Sequence, residues 1–354
     1  MHTERNAPQS TSPNTPPDTP PTRGRAGERP LRLGTRRSAL AMAQSGQVAR
    51  EITRLTGREV ELVEITTYGD VSREQLAQIG GTGVFVSALR DALLAGEIDL
   101  AVHSLKDLPT AQPEGLTIAA VPPRVDPRDA LVARDGLTFE RLAAQGTDAR
   151  PVRVGTGSPR RMSQLNAWAR TLGHRIETVP VRGNVGTRIG FVRSGELDAV
   201  VLAAAGLTRL GSLDEATELL DTDAVLPAPG QGALAVECVA NDARLAAQLA
   251  GLDDPHTRAA VTAERTLLAA LEAGCSAPVG ALADPRDDGK SVTEMRLRGV
   301  VGTVDGSTLV QLSTTGHVPA SADEQRAWAE RLGRDLADAM LAKGAAGLMG
   351  ERAH

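Results

Sequence analysis

Cysteine and aromatic residues are scarce in this chain of 354 residues. The 2 cysteines, Cys238 and Cys275, are too few for a disulfide scaffold and lack metal-ligand spacing. This usage predicts a protein of a reducing compartment, the cytoplasm, with no metal site. Because aromatic residues make up only 2% of the chain, its cores must be built from Ala, Val and Leu.

An excess of positive charge and long apolar runs are also missing. The net charge of −5 argues against a general binder of nucleic acid or of anionic membranes. No apolar run approaches the ~20 residues of a membrane span. There is no Walker lysine motif and no Gly-x-Gly-x-x-Gly between a strand and a helix, which argues against a nucleotide ligand. Residues 1–30 hold seven of the 21 prolines and no hydrophobic signal core, so they are expected to form a disordered leader.

Short apolar strands alternate with helices from residue 31 onward, a pattern typical of α/β domains with crossover connections. Two motifs occur twice: RLGT at 32–35 returns as RVGT at 153–156, and GEIDLAV at 96–102 returns as GELDAVV at 195–201. One explanation of the two repeats is chance similarity among short α/β units. The preferred interpretation is two similar α/β domains whose strand-end loops face each other across a cleft.

Two proline-rich connectors, at 121–127 and 226–232, mark the predicted domain edges. They leave a first domain from 31 to 122 and a second from 128 to 226. The remainder, 255–354, is predicted to be a small α+β domain. It would contain a helix over 257–273 closed by Gly274, a hairpin turning at Asp305-Gly306 and a final helix over 322–348.

Arginines cluster at the strand ends of this acidic protein. Pairs follow both Gly-Thr turns, and single arginines follow later strands: Arg36, Arg37, Arg160, Arg161, Arg182, Arg188 and Arg209. Cations in the first turn of a helix oppose its dipole by about 0.3–1 kcal/mol each. Any one of them could lie along the surface, but three such loops indicate sites for a ligand with several carboxylates or phosphates.

The segment HSLKDLP at 103–109 follows the apolar run 98–102, which is predicted to be a buried strand. Pro109 prevents a regular continuation, so Lys106 and Asp107 are expected in the turn past the carboxyl end of the strand. Ligands bind at that edge in open α/β sheets. An exposed ion pair is the ordinary alternative for such a dipeptide.

Cys275 lies between Gly274 and the proline at 278, in a predicted exposed loop. A lone loop cysteine is usually only a free thiol. No His-Asp partner motif is legible nearby, so a protease-like nucleophile fits poorly, whereas an attachment thiol needs no such partner.

Ordered motifs over about residues 31–280 resemble those of the porphobilinogen deaminase family. Each is weak alone, but their joint order is specific: LGTRRS at 33–38, HSLKDLP at 103–109, GTGSPRR at 155–161, RGNVGTR at 182–188, AAAGL at 203–207, PAPGQGA at 227–233 and GC at 274–275.

The resemblance implies a transferase of haem biosynthesis that condenses four porphobilinogen molecules head to tail, releases ammonia, and frees hydroxymethylbilane with water. The family's chain grows on a dipyrromethane cofactor held by a thioether, here at Cys275. Asp107 matches its catalytic aspartate. Contacts to cofactor and substrate acid groups are implied for Arg36, Ser38, Gln44, Lys106, Thr156, Gly157, Ser158, Arg160, Arg161, Arg182 and Arg188.

The resemblance further implies two periplasmic-binding-protein-like α/β domains with mixed sheets around a cleft, the first completed by residues 233–250. Gly80–Gly83 resembles the family's mobile loop, with Thr82 where many relatives carry Lys. The expected partner is porphobilinogen, with no nucleic acid and no membrane, and monomer is the default state. The alternative is a non-catalytic, two-lobed binding protein for a polyanion.

Overall fold

The computed structural model describes residues 29–65, 83–272, 277–287 and 292–349. Its strands are β1 Leu31–Thr35, β2 Val60–Glu64, β3 Leu100–Ser104, β4 Leu116–Ala120, β5 Asp129–Ala133, β6 Val152–Gly155, β7 Ile176–Val179, β8 Ala199–Ala203, β9 Glu218–Leu219, β10 Leu234–Val239, β11 Val279–Asp287, β12 Val292–Gly302 and β13 Leu309–His317. Its helices are α1 Ala39–Thr56, α2 Gly83–Leu94, α3 Phe139–Ala143, α4 Pro159–Thr171, α5 Val185–Arg193, α6 Ala204–Arg209, α7 Ala243–Leu249, α8 Pro255–Ala270 and α9 Ala322–Ala342.

Two five-stranded sheets have the same pattern of strand directions. The first has the order β2-β1-β3-β10-β4 and the second β7-β6-β8-β5-β9. In each, three strands run parallel and a fourth pairs antiparallel between two others. The predicted pair of α/β units with mixed sheets is therefore confirmed. Because β10 comes from beyond the second sheet, the chain crosses between the two lobes twice, at the two connectors.

The duplicated acidic motif has the same structural role in both lobes. Asp99 accepts a hydrogen bond from the backbone N–H of Arg32 (2.8 Å), and Asp198 accepts one from that of Arg153 (2.9 Å). The arginine side chains of Arg32 and Arg153 then bind the carbonyls of Gly96 and of the glutamate at 196. The two aspartates thus anchor β1 and β6. The motif occurs in both lobes because each sheet needs an acceptor for a backbone N–H group of this strand.

The C-terminal region is a three-stranded antiparallel sheet, β11-β12-β13, covered by α8 and α9. Its core contains Leu267, Leu297, Leu336 and Met340, so the predicted small α+β domain is confirmed. The predicted hairpin joins β12 and β13. The tip of this hairpin lies against α4 of the second lobe, where Asn166 donates to the carbonyl of the valine at 304 (2.9 Å).

Two helix ends show how local chemistry sets the boundaries. The hydroxyl of Ser38 accepts from the N–H of Ala41 at the start of α1, and Gly57 closes that helix at φ +70°. The prediction for α8 was wrong at its end: the helix stops at Ala270, and Glu272 takes the left-handed conformation at φ +52°. Residues 273–276 lie outside the described part. None of the helices described is long and apolar enough to cross a membrane.

Candidate functional site

The turn after β3 presents Lys106 and Asp107 at the strand's carboxyl end. It is one 3-10 turn, from Leu105 to Asp107. The N–H of Leu105 donates to the carbonyl of Ala233 on the neighbouring segment (3.0 Å). Leu105 and Leu108 are buried, while Lys106 and Asp107 are half-buried. The two buried leucines therefore fix the turn, and the polar pair between them stays partly accessible at the sheet edge.

A buried carboxylate, Asp129, holds the arginine pair at the start of α4. Arg160 Nη1 donates to Asp129 Oδ2 (2.8 Å), and Arg161 Nη2 donates to Asp129 Oδ1 (2.7 Å). The same two guanidiniums also donate to the carbonyls of Leu226 and Val201. Asp129 is 0% exposed. Burial alone would raise its pKa, but the two guanidiniums outweigh burial and hold it well below the usual range.

Gln231 links this cluster to the turn in the first lobe. Its Nε2 donates to Asp129 Oδ1 (2.8 Å) and to the carbonyl of Pro127 (2.7 Å). Its Oε1 accepts from Lys106 Nζ (3.3 Å). The NH₂ group of Gln231 therefore binds the first connector and Asp129, and its carbonyl oxygen is left to accept from Lys106. The second connector thus joins Lys106 of one lobe to Asp129 of the other.

The cluster carries more cations than carboxylates. Lys106 interacts electrostatically with Asp107 and Asp129, and also with Arg160 and Arg161. Burial and the two guanidiniums lower the pKa of Lys106 to about 8, against an opposing effect of the two carboxylates. Burial, together with Arg161, also lowers the pKa of Arg188. Cations held close together in this way favour an anionic ligand.

The other predicted arginines differ in position. Arg209 donates to the carbonyl of Gly232 (2.7 Å), beside Gln231, and burial lowers its pKa to about 10. Arg182 is exposed, and the structure gives it no hydrogen bond or ion pair with the described residues. Arg36 is half-buried after β1, whereas Arg37 is exposed and pairs with Glu64. Arg37 is therefore turned toward β2 and stays outside the cluster.

The start of α4 leaves polar groups available beside the arginine pair. Thr156 is buried, and its hydroxyl accepts from the N–H of Ser158. The Ser158 side chain makes no capping hydrogen bond to α4. Gly157 is exposed, and a Cβ there would lie 2.8 Å from the carbonyl oxygen of Val181. The lack of a side chain at Gly157 therefore allows this loop to approach the residues after β7.

The other predicted residues lie on α1 or outside the described part of the chain. Ser38 is exposed and serves as the cap of α1, and Gln44 is buried on the same helix. Cys275 and residues 80–82 lie outside the described residues. Within the described residues no group of three or more His, Cys, Asp or Glu side chains could hold a metal ion.

Sequence reasoning missed Asp129, Gln231 and the pair Glu264-Arg265. Asp129 is the one acidic residue in the otherwise apolar β5, and a buried charge in a strand was the signal that could have revealed it. Gln231 stood inside a recognised motif without an assigned role. Glu264 and Arg265 had no such signal, because charged neighbours on a helix usually face solvent.

The fold and the cluster define a class: a two-lobed α/β protein in which the second connector joins a cation-rich cluster of side chains from both lobes. The sequence model described as "Porphobilinogen deaminase, dipyromethane cofactor binding domain" matches residues 31–247. The model "Porphobilinogen deaminase, C-terminal domain" matches residues 258–342. The chain therefore belongs to the porphobilinogen deaminase family, as its motifs predicted, and carries the domain that binds the family's dipyrromethane cofactor.

Relatives that carry the family's name align with nearly the whole chain. Porphobilinogen deaminase 1 of Streptomyces avermitilis is 74% identical over 327 residues, covering 92% of this chain and 99% of the relative. Porphobilinogen deaminase of Thermobifida fusca is 56% identical over 317 residues, covering 89% and 94%. Among solved structures, the periplasmic aliphatic sulphonate binding protein SsuA from Escherichia coli matches at 16% identity, covering 68% of this chain and 70% of that chain with a TM-score of 0.35. An overlap this low says nothing about ligand or activity.

Proposed function

We propose that this protein is a hydroxymethylbilane synthase of the cytoplasm: it condenses four porphobilinogen molecules head to tail and releases the linear tetrapyrrole by hydrolysis. In each condensation the C–N bond of the aminomethyl group breaks and ammonia leaves. The freed methylene carbon forms a C–C bond to a ring carbon of the neighbouring pyrrole, and this ring carbon loses its proton. The observation that carries the proposal is the cation-rich cluster around Lys106 and Asp129, in a chain of this family.

The cluster fits a ligand with many acid groups. Every pyrrole ring of cofactor and product carries an acetate and a propionate, so a cofactor with four added rings presents about twelve carboxylates. Arg182 and the Ser158 hydroxyl have no protein partner among the described residues, and α4 lacks a side-chain cap. N–H groups at a helix start and guanidinium donors are suited to carboxylates.

The dipyrromethane group, attached at Cys275, supplies the primer on which the product chain is built. The other roles belong to side chains of the protein. Asp107 is half-buried in a turn fixed by two buried leucines, and its carboxylate stabilises the positive charge that develops on the pyrrole when ammonia leaves. The same carboxylate can accept and return the pyrrole N–H proton. Lys106, oriented by Gln231, binds a substrate carboxylate.

Contacts with cofactor and substrate acid groups are proposed for the remaining predicted residues, with monomer as the working assembly. Arg160 and Arg161 are buried guanidiniums whose charge is balanced by Asp129, so they are already oriented before a ligand arrives. Pre-orientation of this kind lowers the cost of binding. Gly157 contributes through its backbone.

Intact mass spectrometry tests the attachment. The purified protein should weigh more than its sequence by two pyrrole units, and Cys275→Ser should remove the excess. Cys238→Ala is the matched control, because Cys238 is 0% exposed and burial raises the pKa of its thiol to about 11, which keeps it unreactive. This control should retain the extra mass.

Turnover of porphobilinogen, followed by ammonia release and by mass shifts of successive pyrrole units, tests the reaction. A protein with the bare sequence mass and no turnover would contradict the proposal. Binding of polycarboxylates without turnover would instead favour the two-lobed binding protein.

A further inference from the structure

One arginine of the C-terminal region binds the backbone of the turn that carries Lys106 and Asp107. Arg265 lies on α8, and its Nη1 donates to the carbonyl oxygens of Leu105 (3.1 Å) and Leu108 (2.9 Å). Its Nη2 donates to the carbonyl of Pro109 (2.7 Å). A single planar guanidinium therefore holds the carbonyls on both sides of Asp107.

Apolar contacts place the same face of α8 against the turn. Val261 lies one helical turn before Arg265. It belongs to the buried cluster that contains Leu105 and Leu108. The turn is thus seated by its leucines on Val261 and by its carbonyls on Arg265. On its other side, the N–H of Leu105 binds the carbonyl of Ala233.

The helix itself is fixed, so Arg265 acts from a rigid base. The neighbouring Glu264 is 0% exposed and accepts hydrogen bonds from both terminal nitrogens of Arg124 (2.6 and 3.1 Å). It also accepts from the backbone N–H groups of Gly230 (2.7 Å) and Ala283 (2.9 Å). These bonds tie α8 to both connectors and to β11. A side chain on such a base can hold its partners within the narrow tolerance that catalysis needs.

We propose that Arg265 is a positioning residue: it orients the turn so that Asp107 faces the reacting pyrrole, and it does so from the helix that leads to Cys275. This inference rests on the proposed function, since Asp107 is the group it would position. The consequence is a fixed relation between the catalytic carboxylate in the first lobe and the C-terminal region that carries the attachment cysteine.

Two variants of the holoenzyme test the role. Arg265→Lys keeps the charge and the stem but lacks the planar fork, and Arg265→Gln also removes the charge. Both should retain the cofactor by intact mass. We expect kcat to fall by about 10²-fold, the loss that a displacement of roughly 1 Å can produce. The KM for porphobilinogen should change much less than kcat: Lys106 shares the turn with Asp107, but the arginines proposed to bind substrate lie on other elements and are untouched. The amide of Leu108 should exchange faster with deuterium.

Arg258→Lys is the matched control on the same helix. Arg258 pairs with Asp253 and does not contact the turn, so this variant should keep kcat and the exchange pattern of residues 105–108. A second control combines Arg265→Lys with Asp107→Glu. If Arg265 acts through Asp107, Arg265→Lys should lower kcat much less in the Asp107→Glu background than it does in the wild-type background.

The outcomes separate this inference from the proposed function. A wild-type protein without turnover overturns the proposed function. An active wild type with unchanged kcat in Arg265→Gln overturns the role of Arg265. A loss of kcat that merely follows loss of folded or cofactor-loaded protein, or that is fully additive with Asp107→Glu, also overturns it.

Discussion

Removing the charge of Asp129 should be among the most damaging isosteric changes in this protein. Its Oδ1 accepts from Arg161 and Gln231, and its Oδ2 accepts from Arg160. In Asp129→Asn one of these oxygens becomes an NH₂ group, so at least one donor meets another donor. The variant also leaves two guanidiniums, 3% and 5% exposed, without their counter-charge.

Breaking a buried ion pair by removing one partner costs about 3–5 kcal/mol. At roughly 2–4 °C per kcal/mol for domains of this size, the Tm should fall by about 6–20 °C. Asp126→Asn is the matched control: Asp126 lies three residues before Asp129 and pairs with Arg128, but the side chains of Asp126 and Arg128 are 33% and 39% exposed. An exposed pair is worth about 0–1 kcal/mol, so the control should shift Tm only slightly.

Thermal and urea unfolding of cofactor-loaded protein, followed by circular dichroism, measure the effect. Adding Arg160→Met to Asp129→Asn should restore part of the stability, since it removes one of the unpaired buried charges. Acid adds a third readout. The pKa of Asp129 lies below its usual value in the folded state, so its contribution is present above the unfolded pKa of about 4 and is lost as pH falls through the folded pKa. If Asp129→Asn shifts Tm no more than Asp126→Asn, or if Arg160→Met lowers the Tm of the double variant further, the argument is wrong.

The remaining predictions concern the turn, its lysine and the hairpin. Asp107→Asn should retain the cofactor by intact mass and the wild-type Tm but lose most turnover, because the carboxylate acts only as charge develops; near-normal kcat would contradict this. The pKa of Lys106 is lowered to about 8, so its charge is lost as pH rises through 8, and the KM for porphobilinogen should rise over pH 7–9. A bound substrate carboxylate stabilises the ammonium of Lys106, so kcat at saturating substrate should change at a higher pH than kcat/KM. The prediction is wrong if the wild-type KM does not depend on pH, or if the KM of Lys106→Met depends on pH as strongly as the wild-type KM does. Gly306→Ala should lower Tm clearly, since a Cβ would lie 2.3 Å from the backbone nitrogen of Ala167 on α4, whereas Gly136→Ala, also at positive φ but with nothing within 4 Å, should show the conformational cost alone; equal shifts would show that the close approach is unimportant.

Periodicity and turn residues predicted most of the secondary structure. Gly57, in the left-handed conformation, closes the helix that begins at Ala39, and such a stop depends only on local geometry. The end of α8 was misplaced for the same kind of reason: Gly274 was the obvious stop signal, but Glu272 adopts the left-handed conformation first. Context overrode propensity there.

Lys106, Arg160 and Arg161 were singled out from the sequence, but the contacts that connect them were missed. The arginines were found because paired cations at helix starts break a local rule. Their shared counter-ion lies in another segment, since Asp129 belongs to β5 and the pair belongs to α4. Interactions between residues so distant in sequence leave no local signal. The domain edges, the contact roles and the attachment at Cys275 stay predictions.

The sequence by itself determined the family, the mixed α/β architecture and the identity of the turn that carries Asp107, because motif order, hydrophobic period and turn chemistry are local properties. Only the tertiary structure decided how those parts are held. Asp129 balances buried arginines, Gln231 joins the two lobes, and Arg265 reaches from the C-terminal helix to three carbonyls of the turn. Asp129 and Gln231 are buried and Arg265 is half-buried, so each needs a hydrogen-bond partner, and that partner is fixed by the packing that brings distant segments together.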